Sequence, residues 1–326
     1  MTTEVKPAVN PMTRRIPKSV DLPPYTGVFG LLAIIVVFFS VSAPGFLTSG
    51  NMSSLLADSA VIAILAIGMT PSIISGGIDL SVASNAVLCA VVTVWTATNY
   101  GTAPAIIVSL VTGCLVGAVN GVLIAKYKLN AFVVTLAGLQ AWRGLARLFV
   151  DDETNTLESS AFSDFTSWSI GPVNAPIILT LILAAIATWM LRRTYFGRNV
   201  YAIGGNEKAA SIAGINVVRS KFLVYVFSGL CAGIAALVAI GFNADSASPT
   251  LLNGAELTVA AAVLLGGTSL AGGAGTIIGS VIAAVFFSVL TKGLNLNGIT
   301  ASYWQLIITG ILLVAAVVID RLRTRS

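Results

Sequence analysis

The 326-residue sequence contains no histidine. That absence excludes His-based acid–base catalysis, the common zinc sites and a His proton relay. Charge is also scarce, at 10% of residues against about 25% in an average soluble domain. Cysteine occurs only at Cys89, Cys114 and Cys231, each inside an apolar run, so the three read as small packing residues rather than a disulfide framework. The Gly-rich stretch 266–275 lacks the Gly-Lys-Ser/Thr ending with which a phosphate loop holds nucleotide and magnesium, and its spacing does not match a dinucleotide fingerprint. The chain therefore carries no ATPase motif and implies no cofactor. Nor does it offer a nucleophile–base arrangement for an intramembrane enzyme.

What is present is apolar. Hydrophobic residues make up 56% of the chain and the mean hydropathy is +0.93. A water-soluble fold of this size has too little polar surface to cover that content; lipid as solvent removes the conflict. A helix crossing about 30 Å of hydrocarbon needs roughly 20 residues. Apolar segments of that order fall near 27–42, 55–75, 80–98, 103–125, 131–150, 175–191, 222–242, 257–270, 276–290 and 303–319. The expected fold class is an all-α integral membrane protein of about ten transmembrane helices, forming one domain over 27–319. Gly-rich breaks separate the second segment from the third and the eighth from the ninth.

Charge sets the orientation. The net charge of +5 arises from short basic runs between apolar segments, which act as topology signals and do not form a nucleic-acid-binding stripe. With ten spans and both termini cytoplasmic, the inner segments are 1–26, 126–128, 192–221 and 320–326, holding 15 of the 18 basic residues. The polar, Pro-containing stretch 1–26 reads as a cytoplasmic tail, not a secretory signal. The outer loop 151–174 carries five acids and no base. Arg143, Arg147 and Lys292 are the exceptions, with the two arginines placed to snorkel to the outer interface.

Small residues four apart let helix backbones approach closely in lipid. Gly113, Gly117 and Gly121 form one such ridge, and Gly229 with Gly233 another; each suits either a subunit interface or packing within the bundle. Among the acids, only Asp58, Asp79 and Glu256 come near membrane depth, where ionisable groups are costly. Asp58 and Glu256 sit toward outer ends of their segments and read as interfacial. Asp79 follows Pro71, Gly76 and Gly77, a composition that breaks a helix and turns its freed backbone groups toward protein or a water-filled cavity. Its carboxylate suits capping of the next helix or a place in the pathway. The segment 192–221 contains Asn206, Glu207, Lys208, Ala209, Ala210 and Gly214, which predict a two-turn helix capped by Asn206 and stopped by Gly214. Such a helix, outside the membrane and without a core of its own, fits a groove on a partner; the alternative is an ordinary basic inner loop.

These motifs, taken in order from about Phe46 to Asp320, resemble the permease subunits of ribose-type sugar ABC importers, with branched-chain amino-acid permeases more distantly similar. The resemblance is carried by Gly76-Gly77-Ile78-Asp79-Leu80-Ser81, Val119-Asn120-Gly121, Val133-Val134-Thr135-Leu136, Thr194-Tyr195-Phe196-Gly197-Arg198, the 204–214 segment, Gly254-x-Glu256-Leu257, Gly266-Gly267-Thr268-Ser269-Leu270 and Lys292-Gly293-Leu294-Asn295. It implies an alternating-access pathway in a bacterial cytoplasmic membrane. It also implies cytosolic ATPase subunits, an extracytoplasmic solute-binding protein and a second permease copy, identical or closely related. Glu207–Gly214 then corresponds to the ATPase-coupling segment, while Gly76, Gly77, Asp79, Ser81 and Asn120 are the candidates for the pathway or helix break. The sequence departs from the family pattern at Lys208, between Glu207 and Ala209, and at Ala83. The rival reading, an ion-coupled secondary transporter, also uses broken helices. It fits less well with so few intramembrane carboxylates and so conspicuous an inner loop.

Overall fold

The computed structural model describes residues 25–171, 173–300 and 302–323. The expected tail 1–26 therefore lies outside the described residues except for Tyr25 and Thr26, and so do residues 324–326 of the expected C-terminal tail. The chain is helical almost throughout: α1 Thr26–Ser42, α2 Ser49–Ile74, α3 Val82–Tyr100, α4 Thr102–Gly121, α5 Ala131–Phe149, α6 Ala161–Ser167 and α7 Ala175–Arg193. It continues with α8 Tyr195–Gly205, α9 Glu207–Ile212, α10 Val217–Phe242, α11 Ala255–Leu265, α12 Ile277–Leu296 and α13 Ser302–Arg323. A π-turn at Val122–Lys126 extends α4, and the extended pieces are two-residue pairings.

Each of the ten apolar segments falls on one of these helices. Among the described residues, six helices (α2, α3, α4 with its π-turn, α7, α10 and α12) are long and apolar enough to cross a membrane. The protein is an all-α membrane protein. In α1, α11 and α13 the apolar run is shorter. The end of α13 also reaches Arg323, past the expected boundary at Asp320.

The burial pattern runs inside out relative to a soluble protein. Most of α2, α3 and α10 is buried at the centre, whereas only a third of the apolar windows of α4 and α7 is. On α5 the buried face includes Thr135, Gly138 and Arg143, while Phe132, Val133, Leu136 and Leu148 are exposed. Polar residues toward the bundle and apolar ones outward is the arrangement lipid selects.

α4 and α10 make the most extensive helix contact. The two glycine ridges lie face to face within the chain. A Cβ on Gly113 would overlap the Gly229 carbonyl, and one on Gly229 the Gly113 carbonyl. A Cβ on Gly117 would overlap the Tyr225 carbonyl, one on Gly233 would come to 2.7 Å from the Ser109 carbonyl, and one on Gly121 to 3.0 Å from that of Phe222. The Ser109 hydroxyl donates across the same seam to the Gly233 carbonyl at 3.0 Å. The obstructing atoms are backbone, so a side chain there can be accommodated only by moving a helix. Gly113→Val and Gly229→Val are each expected to cost at least the ~1–3 kcal/mol typical of overpacking, read as a lower unfolding midpoint in detergent. Gly30→Ala, whose Cβ would meet nothing within 4 Å, is expected to leave the midpoint in place.

Candidate functional site

Two chain breaks and one helix pair outside the spans bring the candidate residues together. The first break, 75–81, joins α2 to α3. Pro71 is tolerated in the last turn of α2, and Gly76 then takes φ +83°, a left-handed conformation that a Cβ resists. Asp79, buried in this break, accepts from the Ser81 backbone N–H at 3.1 Å, the Ser81 hydroxyl at 2.6 Å and the Ser228 hydroxyl of α10 at 2.7 Å. The Asn120 amide of α4 donates to the Ser81 hydroxyl at 2.8 Å. Thr135 of α5 donates to the Ile78 carbonyl at 3.1 Å. Asp79 thus ties α10 to the break directly, while α4 is joined to it through the Ser81 hydroxyl and α5 through the Ile78 carbonyl. Asp79 does not cap α3 in the expected sense, because Ser81 occupies the position before Val82. From two residues further back the carboxylate reaches only the Ser81 N–H, an Asx-type turn. Gly77 makes room for Tyr225, whose hydroxyl would be overlapped by a Cβ there and is buried without a hydrogen-bond partner.

The second break, 266–276, joins α11 to α12 and lies beside the first. The Gly273 N–H donates to the Ile74 carbonyl at 2.8 Å, and a Cβ on Gly272 would approach the Gly76 Cα at 3.2 Å. The C-terminus of α8 enters the same junction. A Cβ on Gly204 would overlap both the Ile74 carbonyl and the Gly273 nitrogen. The Tyr201 hydroxyl of α8 donates to the Gly275 carbonyl at 2.8 Å. Burial pushes that phenol above its ordinary range, with Arg192 opposing, so it remains a donor. Neither the contribution of α8 nor the meeting of three glycine segments follows from local sequence pattern; Gly204-Gly205 just before Asn206 is the available signal.

After α8, the Asn206 side chain accepts from the Ala209 N–H at 3.0 Å and caps α9. Gly214, at φ +84°, ends it. Glu207 pairs with Lys221 of α10 at 2.6 Å. Lys208, Ala209 and Ile212 are exposed, Ile212 at 88%, whereas Ala210 is buried.

Each of the three basic residues that departed from the charge bias has an acidic partner. Lys292 lies 3.4 Å from Asp58, Arg147 lies 3.7 Å from Asp152, and Arg143 lies 3.8 Å from Glu256. Arg143 and Glu256 thus face one another within the bundle. Both are buried, and Arg143 also donates to the Pro249 carbonyl at 3.3 Å.

The Asp79 junction generates a graded expectation. Asp79→Asn keeps one acceptor for Ser81 and offers an amide to the Ser228 hydroxyl, so folded yield and transport are expected to change little. Asp79→Ala strands buried hydroxyls, each at about 1–3 kcal/mol, and is expected to lower thermal stability in detergent. An Asn variant that inserts and melts like the parent but transports nothing would show that the charge itself is needed.

Residues 51–317 match the family described as branched-chain amino acid transport system / permease component. The ribose import permease of Bacillus subtilis (strain 168) is 39% identical over 304 residues, covering 92% of each chain. That of Escherichia coli (strain K12) is 37% identical over 294 residues, covering 89% of this chain and 91% of the relative. The L-arabinose transport system permease of the same organism is 37% identical over 315 residues, covering 91% and 92%. No solved structure matches the chain. With the family matched over most of its length and relatives of this similarity along nearly all of it, the chain belongs to the branched-chain amino acid transport system / permease component family.

Proposed function

We propose that the chain is the permease subunit of an ATP-binding-cassette importer, forming the alternating-access pathway for a sugar. The observation that carries this reading is the likeness, over about nine-tenths of the chain, to permeases named for ribose and L-arabinose import. A neutral solute also suits a bundle whose buried polar groups are mostly hydroxyls and amides. In this proposal the chain crosses a bacterial cytoplasmic membrane ten times with both termini inside. Residues 151–174 face outward and 192–221 inward.

The remaining assignments belong to the same proposal. Residues 206–214 couple the permease to a cytosolic ATPase subunit. An extracytoplasmic binding protein delivers the solute, and a second permease copy completes the pathway. Gly76, Gly77, Asp79, Ser81 and Asn120 hold the break that moves during access. The capped, two-turn form of α9 supports the coupling role, as does the exposure of Ile212, an apolar side chain with no core of its own chain to bury it.

Four experiments test the proposal. Cysteines introduced one at a time into inserted protein are expected to react with a membrane-impermeant maleimide in intact cells when placed at Ser160, and not when placed at Thr324. The reverse pattern rejects the threading. In vesicles holding permease, ATPase subunit and loaded binding protein, sugar uptake is expected to require ATP and all three parts. Accumulation by the permease alone under a proton or sodium gradient would establish the secondary transporter instead. In the same assembly Gly214→Val, strained at a positive φ, and Ala209→Glu are expected to insert normally but abolish transport. A cross-linker at Lys208 is expected to capture the ATPase subunit. Normal transport by both variants, or no capture, rejects the coupling assignment.

A further inference from the structure

An open cleft of about 540 Å3 lies between α2, α11, α12 and α13, within the ~300–1,000 Å3 of small-molecule sites. Apolar side chains such as Ile62, Phe287 and Leu306 share its lining with a set of polar ones unusual for a bundle of apolar helices: Asp58, Asn253, Thr258, Thr291, Lys292 and Thr309. Two of these carry charge on membrane helices, where an ionisable group is costly and calls for a cause. The Lys292 ammonium donates to Asp58 Oδ2 at 3.4 Å and to the Ser54 hydroxyl at 2.9 Å.

A comparison within the molecule separates two uses of such a pair. Arg143 and Glu256 are closed in, with side chains only 10% and 12% exposed, as a pair that holds helices together can be. Lys292 and Asp58 keep 31% and 51% of their side-chain surface open. They reach one another and still face the cleft.

The chemistry of the lining suits a hydroxyl-rich neutral ligand. The ammonium and carboxylate neutralise each other, so a cation is opposed by Lys292 and an anion by Asp58. A solute with adjacent hydroxyls meets no such opposition. A carboxylate accepts from two hydroxyls, an ammonium donates to hydroxyl oxygens, and the Asn253 amide and threonine hydroxyls can do both. The cleft also stands apart from the Asp79 break. Asp58 precedes Ile74 by 16 residues on α2, about 24 Å at 1.5 Å per residue.

The geometry points to this cleft as the receiving site for a neutral monosaccharide, with Asp58 and Lys292 as a hydroxyl-binding pair, upstream of the Asp79 break on the way in. The assignment rests on the importer reading and its threading, in which this end of α2 and α12 faces the outside.

The test uses the complete assembly in vesicles with the loaded binding protein, and radiolabelled D-ribose, L-arabinose and D-xylose as probes. Sugar moved per ATP hydrolysed is measured for the parent, Asn253→Leu and Thr291→Val. Each variant is expected to lower that ratio about five-fold, the equivalent of one lost hydrogen bond of ~1 kcal/mol. A residue that only supports the fold would lower uptake and hydrolysis together, so a parental ratio overturns the assignment whatever the overall rate. If a variant does not insert, a cysteine at Leu306, on the cleft's edge, answers the question. A bulky maleimide added to an assembly already shown to transport is expected to stop uptake, and undiminished uptake after complete labelling overturns the assignment. A parent assembly that moves none of the three sugars overturns the sugar-importer reading and the cleft together. A transporting parent with unaltered ratios in both variants overturns the cleft alone.

Discussion

The backbone approach of α4 to α10 is the constraint on which the rest of this structure depends. Lipid gives helices no hydrophobic reason to associate, so contact must come from close packing and from polar groups that have no solvent to turn to. Gly113 and Gly229 let two carbonyl-bearing backbones meet where any Cβ would separate them. With that distance fixed, Asn120 on α4 and Ser228 on α10 reach opposite ends of one short relay through Ser81 and Asp79. Were the helices further apart, the break between α2 and α3 would lose one of its anchors, and a buried carboxylate would lose a donor. The small residues and the polar relay are therefore parts of one arrangement.

Charge obeys a comparable economy. Three basic residues fall outside the segments to which the charge bias assigns the others, and each is met by an acid. A buried guanidinium or ammonium without a partner is far more costly than a matched pair. The pairs differ in how far they are closed. Arg143–Glu256 joins α5 to the start of α11 in a buried setting, Arg147–Asp152 is exposed at the end of α5, and Lys292–Asp58 borders a cleft. Partner identity follows from helix geometry; exposure decides what else the pair can do.

These differences also explain which features were legible in the sequence. Apolar segments can be read because lipid acts on each of them separately, and caps can be read because Asn206 and Gly214 act within a few residues of themselves. The partners of Arg143 and Lys292 are 113 and 234 residues away, and no local pattern encodes such a distance. The Asp79 reading failed in a related way. Its helix-capping chemistry was recognisable, but the start of α3 lies two residues later than a direct cap requires. Its main partner outside the break, Ser228, is 149 residues away. α5 was read as a span like the others, yet it is amphipathic with its polar face inward, because its Thr, Gly and Arg positions meet neighbours that the sequence does not reveal.

The junction of three glycine segments connects these local features into a mechanical argument. Gly204 of α8 sits against the Ile74 carbonyl and the Gly273 nitrogen, atoms belonging to both breaks. α9 follows α8 after the single residue Asn206. No flexible side chain lies between these backbones to absorb a displacement, and packed elements of this kind move between discrete arrangements instead of deforming gradually. A force applied to α9 by a partner would therefore act on α8 and, through Gly204, on the ends of α2 and of the α11–α12 break together. The Tyr201 hydroxyl bond to the Gly275 carbonyl adds a second tether between α8 and that break. One external contact can thus be coupled to two internal breaks, which is the connection an alternating-access pathway needs if the energy source lies on another polypeptide.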